Sequence, residues 1–242
     1  ATLAACACGV PAVIVVPQTT AAAVRDAIAA RGASVIVHGA VWDESHEHAV
    51  ALAKAQGAVY VHPFDDPLLW DGHATLIDEV VRAGAAFDCV VVSVGGGGLL
   101  AGVVEGLRRN GLHNVPVIAV ETEGAASFAS ALAAGESVTL PAITSIATSL
   151  GARRAMPRLL DLAREHEIVS VLVSDAQAVQ ACSRFADTTR LLVEPACGAS
   201  IAALGAHPDV FERFKAPLIE VCGGMGVSLS RLARWRTDLG LD

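Results

Sequence analysis

Lysine is nearly missing from this sequence: two occur in 242 residues, Lys54 and Lys215. Basic residues as a class are scarce, 17 against 25 acidic ones, for a formal charge of −8. No Lys/Arg block stands out. The basic face that nucleic-acid binding needs is therefore not offered. Long apolar runs are missing too. Ala1 to Val16 is apolar, but Gly9, Pro11 and Pro17 interrupt it. It falls short of the ~18 residues of a membrane span. It lacks the basic start of a signal peptide as well. There is no CxxC and no HxxxH, and His46-x-His48 does not share a helix face, so no transition-metal site is expected. The six cysteines, Cys6, Cys8, Cys89, Cys182, Cys197 and Cys222, sit mostly in apolar patterns. They read as reduced thiols in a cytoplasmic protein. The first residue is Ala, so the chain is expected to begin inside something longer or after processing.

Aromatics make up 4% of the chain against 53% hydrophobic residues, so the apolar content is mostly Ala, Val, Leu and Ile. That mix suits buried parallel strands under Ala-rich helices. Strands are expected at 12–16, 34–37, 58–61, 88–94, 117–121, 168–173 and 218–222. Helices are expected over 20–31, from Asp43 as N-cap to Gln56, and over 72–83, 99–109, 156–165, 195–204 and 227–239. Another starts at a Ser174-x-x-Gln177 capping box and runs to about Arg190. Ala1 to Cys8 reads as the end of a further helix. The β-α alternation with short connections predicts an α/β protein with parallel sheets flanked by helices. The prolines of His62 to Pro67 mark a change of domain, giving a smaller α/β domain over 1–61 and a larger one over 62–242.

The strongest local signal is Ser93-Val94-Gly95-Gly96-Gly97-Gly98-Leu99. A buried strand runs into four glycines and a helix starts at once. Backbone N–H groups without neighbouring Cβ atoms approach an anion closely, and a helix N-terminus adds partial positive charge. A phosphate fits there; a tight strand–helix contact is the plainer alternative. No Gly-Lys-Ser/Thr follows, so this is not a P-loop.

Further segments follow in order: His62-Pro-Phe64-Asp65-Asp66-Pro67, Trp70-x-Gly72-His73, Val117-Ile-Ala-Val-Glu121 with Gly124-Ala125, Val193-Glu-Pro-Ala-Cys-Gly-Ala199 and Val221-Cys222-Gly223-Gly224. Together with the glycine loop they resemble the serine/threonine dehydratases, pyridoxal-phosphate (PLP) enzymes of fold type II, the tryptophan-synthase-β type. The resemblance covers nearly the whole chain.

It implies a two-domain fold with the cofactor in the cleft, and β-elimination of L-serine to pyruvate and ammonia, with L-threonine to 2-oxobutanoate as second activity. It implies that Gly95, Gly96, Gly97, Gly98 and Leu99 hold the cofactor phosphate. Cys222 would face the pyridine nitrogen, Phe64 would pack near the cofactor and Ser149 would lie on the ring face. A monovalent cation, potassium, would be held by Glu121 and the carbonyls of Gly95, Ala125, Leu150 and Ala152. A small amino acid would be the substrate, and a homodimer the working unit.

On their own residues plainer readings stand beside these: a structural thiol for Cys222, a surface carboxylate for Glu121, a core ring for Phe64. Asp65 and Asp66 read as a turn and helix cap rather than an acid pair. Cys197 reads as helix packing, and Glu194 has no evident role. The family's carboxylate-gripping loop and the lysine that bonds the cofactor are expected upstream of Ala1. Lys54 and Lys215 both read as solvated charges. Related PLP enzymes, threonine deaminase or serine racemase, are the alternative. So is a catalytically inactive remnant.

Overall fold

The computed structural model describes residues 2–241. They gather into two compact units that part between His62 and Pro63.

The first unit holds α1 (Thr2–Ala7), β1 (Val13–Val16), α2 (Ala22–Ala29), β2 (Ser34–Val37) and α3 (Trp42–Gln56). The two strands pair in parallel, Val13 opposite Ser34 through Val16 opposite Val37. Helix α3 starts at Trp42 with Val41 as its cap residue; Asp43, expected there, lies in the first turn, where its charge suits the helix dipole. The strand expected over 58–61 does not form. A strand needs a partner for its N–H and C=O groups, and β1–β2 is the only pairing in this unit among the described residues. Val59 is accordingly 89% exposed.

The second unit continues with α4 (Pro67–Arg82), β3 (Cys89–Ser93), α5 (Gly98–Arg109), β4 (Val117–Thr122), α6 (Ser127–Ala134), α7 (Arg158–Glu165), β5 (Ile168–Val173), α8 (Asp175–Thr189), α9 (Pro195–Ala206), α10 (Pro208–Phe211), β6 (Pro217–Ile219) and α11 (Leu229–Asp238). Its sheet has the order β5-β4-β3-β6, parallel throughout. Helix α4 begins five residues before the expected Gly72. Asp66 caps it by accepting the Leu68 N–H at 2.9 Å, and Pro67 supplies a first-turn residue with no N–H to satisfy. The capping box on α8 forms as its residues predict.

Both faces of this sheet are covered, which explains the unbroken apolar run of β3. Val90 and Val92 pack with Ile77, Leu100, Leu107 and Leu159 on one face. Cys89 and Val91 pack with Ala178, Ala199 and Ala203 on the other. Each fully buried valine contributes roughly 1.5 kcal/mol or more. Small residues bring the helices close. A Cβ on Gly106 of α5 would sit 2.7 Å from the Ala74 carbonyl of α4. One on Gly198 of α9 would sit 2.2 Å from the Ala178 carbonyl of α8. Strand β6 is shorter than the 218–222 expected. The Glu220 N–H still bonds the Val91 carbonyl at 2.9 Å, but the chain then turns away through Gly223 and Gly224, both at positive φ. No helix among the described residues is long and apolar enough to cross a membrane.

Candidate active site

Strands β3, β4 and β6 end at one edge of the sheet, and in open α/β sheets ligands gather outside the carboxyl ends of the strands. A cavity of about 800 Å³ opens there. Its lining includes Phe64, Ser93, Gly95 to Leu99, Ser149, Glu194, Cys197, Glu220 and Cys222. The eight residues assigned to the cofactor from sequence are thus all brought to one cavity.

The glycine loop has no room for side chains. A Cβ on Gly96 would fall 2.3 Å from the Phe64 ring, one on Gly97 2.4 Å from Leu159 Cδ1, and one on Gly98 2.7 Å from the Phe64 carbonyl. Gly97 also takes φ +105° as the residue before α5, a conformation side chains resist. The first N–H groups of α5 have no carbonyl one turn back to bond, and Gly98 and Leu99 at that end line the cavity. Phe64 is therefore the wall behind the loop, fixed in place by its carbonyl, which accepts the Trp70 indole N–H at 2.7 Å. Ser93 anchors the strand end on α9 through the Ala196 carbonyl and the Ser200 hydroxyl.

Ser149 donates to Glu194 Oε1 at 2.6 Å, and Glu194 Oε2 accepts the Gly226 N–H at 3.2 Å. Glu194, without a role in sequence, fastens two loops of the rim. Cys197 is buried in helix packing as expected, yet it also reaches the cavity, where Sγ donates to the Gly223 carbonyl at 3.3 Å and accepts the Gly223 N–H at 3.2 Å. The Cys222 thiol donates to Glu220 Oε1 at 2.8 Å. Its hydrogen bond with Cys197, desolvation on the cavity wall and the Glu220 carboxylate all push it up, so it stays protonated. Burial raises Glu220, and the Cys222 thiol opposes that rise. Sequence reasoning missed Glu220; its one signal was a charge inside the apolar run Pro217-Leu-Ile-Glu-Val221.

Glu121 is not the surface carboxylate its residue type allowed: it is 0% exposed at the end of β4. Its oxygens accept the N–H groups of Phe128 and Ala129, both at 2.8 Å, at the start of α6. Burial pushes it up to about 7 against those bonds. Of the carbonyl residues, Gly95 backs onto Leu150, where a Cβ would lie 3.0 Å from Leu150 Cα. Ala125 and Leu150 share a core cluster, and the Ala152 N–H bonds the Leu150 carbonyl at 2.9 Å. Among the described residues no group of three or more His, Cys, Asp or Glu gathers to hold a metal ion. Neither lysine lines the cavity; the Lys215 backbone N–H bonds Asp88 at the far end of β3.

A glycine-cradled anion site at the carboxyl edge of a parallel sheet, faced by a neutral thiol, defines a phosphate-bearing cofactor site. Residues 1–219 match the family model described as pyridoxal-phosphate dependent enzyme, and the chain belongs to that family. It is 45% identical to the mouse protein named serine dehydratase-like over 241 residues, 96% of this chain and 73% of that one. It is likewise 45% identical to human L-serine dehydratase/L-threonine deaminase, covering 96% of this chain and 74% of that one. Among solved structures, a fungal L-serine ammonia-lyase from Rhizomucor miehei superposes with a TM-score of 0.91 at 34% identity, covering 98% of this chain and 78% of that one.

Proposed function

We propose that the protein is a PLP-dependent ammonia-lyase that converts L-serine to pyruvate and ammonia, with L-threonine to 2-oxobutanoate as its second reaction. The observation that carries the reading is the glycine cradle facing the Cys222 thiol across one cavity. Bound pyridoxal phosphate supplies the electron sink for charge developing at the substrate α-carbon. The chain's own residues do the holding. The N–H groups from Gly95 to Leu99 take the phosphate, Phe64 walls the cradle, and Ser149 lies against the ring face. Cys222 meets the ring nitrogen. A thiol there does not force a proton onto that nitrogen as a directly bonded carboxylate would, and the moderate sink that results suits elimination. The relatives' names support the substrate class.

The test is visible absorbance of the purified protein before and after L-serine, with pyruvate followed in the same sample. A cofactor band that responds as pyruvate accumulates supports the reading. A colourless protein that forms no pyruvate with added cofactor would reduce it to a binding remnant.

Potassium is proposed beside Glu121. A fully buried carboxylate with no cationic partner among the described residues is costly, and hard oxygen ligands around it suit a monovalent ion. The resemblance puts Gly95 and Leu150, which line the cavity, among the ion's ligands, so ion and cofactor binding should be coupled. Replacing potassium with lithium is expected to weaken cofactor binding several-fold, and Glu121→Gln to abolish the difference between the two ions. The resemblance also carries a homodimer, which sedimentation tests. Six cysteines without a disulfide favour a reducing, cytoplasmic setting.

A further inference from the structure

Glu220 is an acid where the strand pattern calls for an apolar residue. It is 9% exposed, it lines the cofactor cavity, and the ion pairs of the described residues do not include it. A carboxylate so placed needs a donor, and the donor it has is the Cys222 thiol, 2.8 Å from Oε1. The other polar groups nearby do not compete for it. Cys197, from α9, spends its own proton on the Gly223 carbonyl, and its sulfur, which also faces the Cys222 thiol, is a weaker acceptor than a carboxylate. Glu194 is occupied by Ser149 and the Gly226 N–H. Ser93 is tied to α9. Burial of His73, on the cavity wall, favours its neutral form.

A thiol has one proton. A carboxylate is a stronger acceptor than a neutral ring nitrogen or a second sulfur. We infer that Glu220 is a positioning residue that turns the Cys222 proton away from the cavity, so that the sulfur meets the cofactor's ring nitrogen as an acceptor. The inference rests on the reading of Cys222 as the group at that nitrogen. An unassisted thiol can donate to the nitrogen and leave it unprotonated. A sulfur whose proton is committed to a carboxylate offers lone pairs instead and favours the protonated ring. Glu220 thus acts through Cys222 to raise the electron sink above what a thiol alone gives, while the sulfur between them keeps it below that of a directly bonded carboxylate. It does so without touching the cofactor.

Pyridoxine 5′-phosphate is a suitable probe. It carries the phosphate and the ring but no aldehyde, so it needs no lysine, and its ultraviolet absorbance reports protonation of the ring nitrogen. In the unmodified protein the bound probe is expected to hold its ring proton to higher pH than the free probe. Glu220→Gln, nearly the same size but uncharged, is expected to lower that midpoint by about one pH unit or more. Cys222→Ala is expected to shift it as well. If Cys222→Ala shifts the midpoint and Glu220→Gln does not, the inference fails and the site reading stands. If neither does, the nitrogen is not at Cys222 and both fail.

A second measurement guards against a variant that does not fold. In the unmodified protein, iodoacetamide labelling read by peptide mass can compare Cys222 with Cys6 and Cys8, all three exposed. Cys222 should lag at least tenfold at pH 9, because its thiol proton is held. Labelling at the pace of Cys6 and Cys8 would overturn the proposal.

Discussion

Single residues in this protein are set by what they touch more than by what they are. Glu165 shows it at the surface. Its carboxylate accepts from Arg158 at 2.8 Å and from Arg108 at 2.8 Å, and these two guanidinium groups hold it down to about 2. Its folded value lies below the ordinary 4.5. Its contribution to stability is therefore fully present above that ordinary value and is lost as pH falls through about 2. The difference in urea midpoint between the protein and Glu165→Gln should be constant from pH 7 to 5 and shrink toward zero at pH 2; a difference that persists there would show that the arginines do not act on its charge. In the cavity, Gly96→Ala should act through Phe64. A methyl 2.3 Å from that ring must push it off the loop. We expect pyridoxine 5′-phosphate to bind at least tenfold more weakly while pyridoxine, which lacks the phosphate, changes little. Equal losses for both would mean that the phosphate is held elsewhere.

Whole elements answer to packing in the same way, and α9 offers a controlled comparison. Gly198 and Gly205 lie on the same helix, Pro195–Ala206. A Cβ at Gly198 meets the Ala178 carbonyl at 2.2 Å, whereas one at Gly205 meets nothing within 4 Å. Gly198→Ala must separate α8 from α9 and should destabilise by roughly 1–3 kcal/mol. Gly205→Ala only removes backbone freedom from the unfolded chain and should stabilise by about 0.5–1 kcal/mol. Urea unfolding of both variants checks the pair of signs. The same logic separates the elements legible in sequence from those that were not. Strand β3 announced itself because both its faces are buried, so no polar residue breaks the run from Cys89 to Val92. The segment 58–61 has the same β-branched flavour, but a strand also requires a neighbour, and composition does not say whether one is there. The start of α4 was written locally: Asp66 was read as a helix cap, which it is, although the helix itself was drawn from the later Gly72.

At the scale of the molecule, the phosphate loop could be read in sequence because strand, glycines and helix are contiguous. The rest of the cavity could not. Ser149, Glu194 and the Glu220–Cys222 pair come from three separate stretches of chain and meet only when β6 lies beside β3. The resemblance named two of the four; tertiary contact alone gives Glu194 its partners, while Glu220 finds its own, Cys222, two residues along the chain. Because the lining comes from many elements, a ligand should stabilise the unit as a whole. At one hundred times its dissociation constant, pyridoxine 5′-phosphate should add about 2.7 kcal/mol. Hydrogen exchange should slow around residues 95–99, 149–150, 194–197 and 222–226 together; protection confined to the glycine loop would mean that the cavity does not close on the ligand as a unit. One contact set has a longer reach. Glu194 takes the Ser149 hydroxyl and the Gly226 N–H, and its carboxyl group stands 2.3 Å from where a Cβ on Gly224 would be. Two loops therefore share one fastener, and a side chain at position 224, the loss of the hydroxyl at 149 or a change at 194 each disturbs the contacts of the other two positions. In a diverging lineage these positions should drift as a set rather than singly, so the history of the rim would be recorded as correlated replacements at sites far apart in the chain.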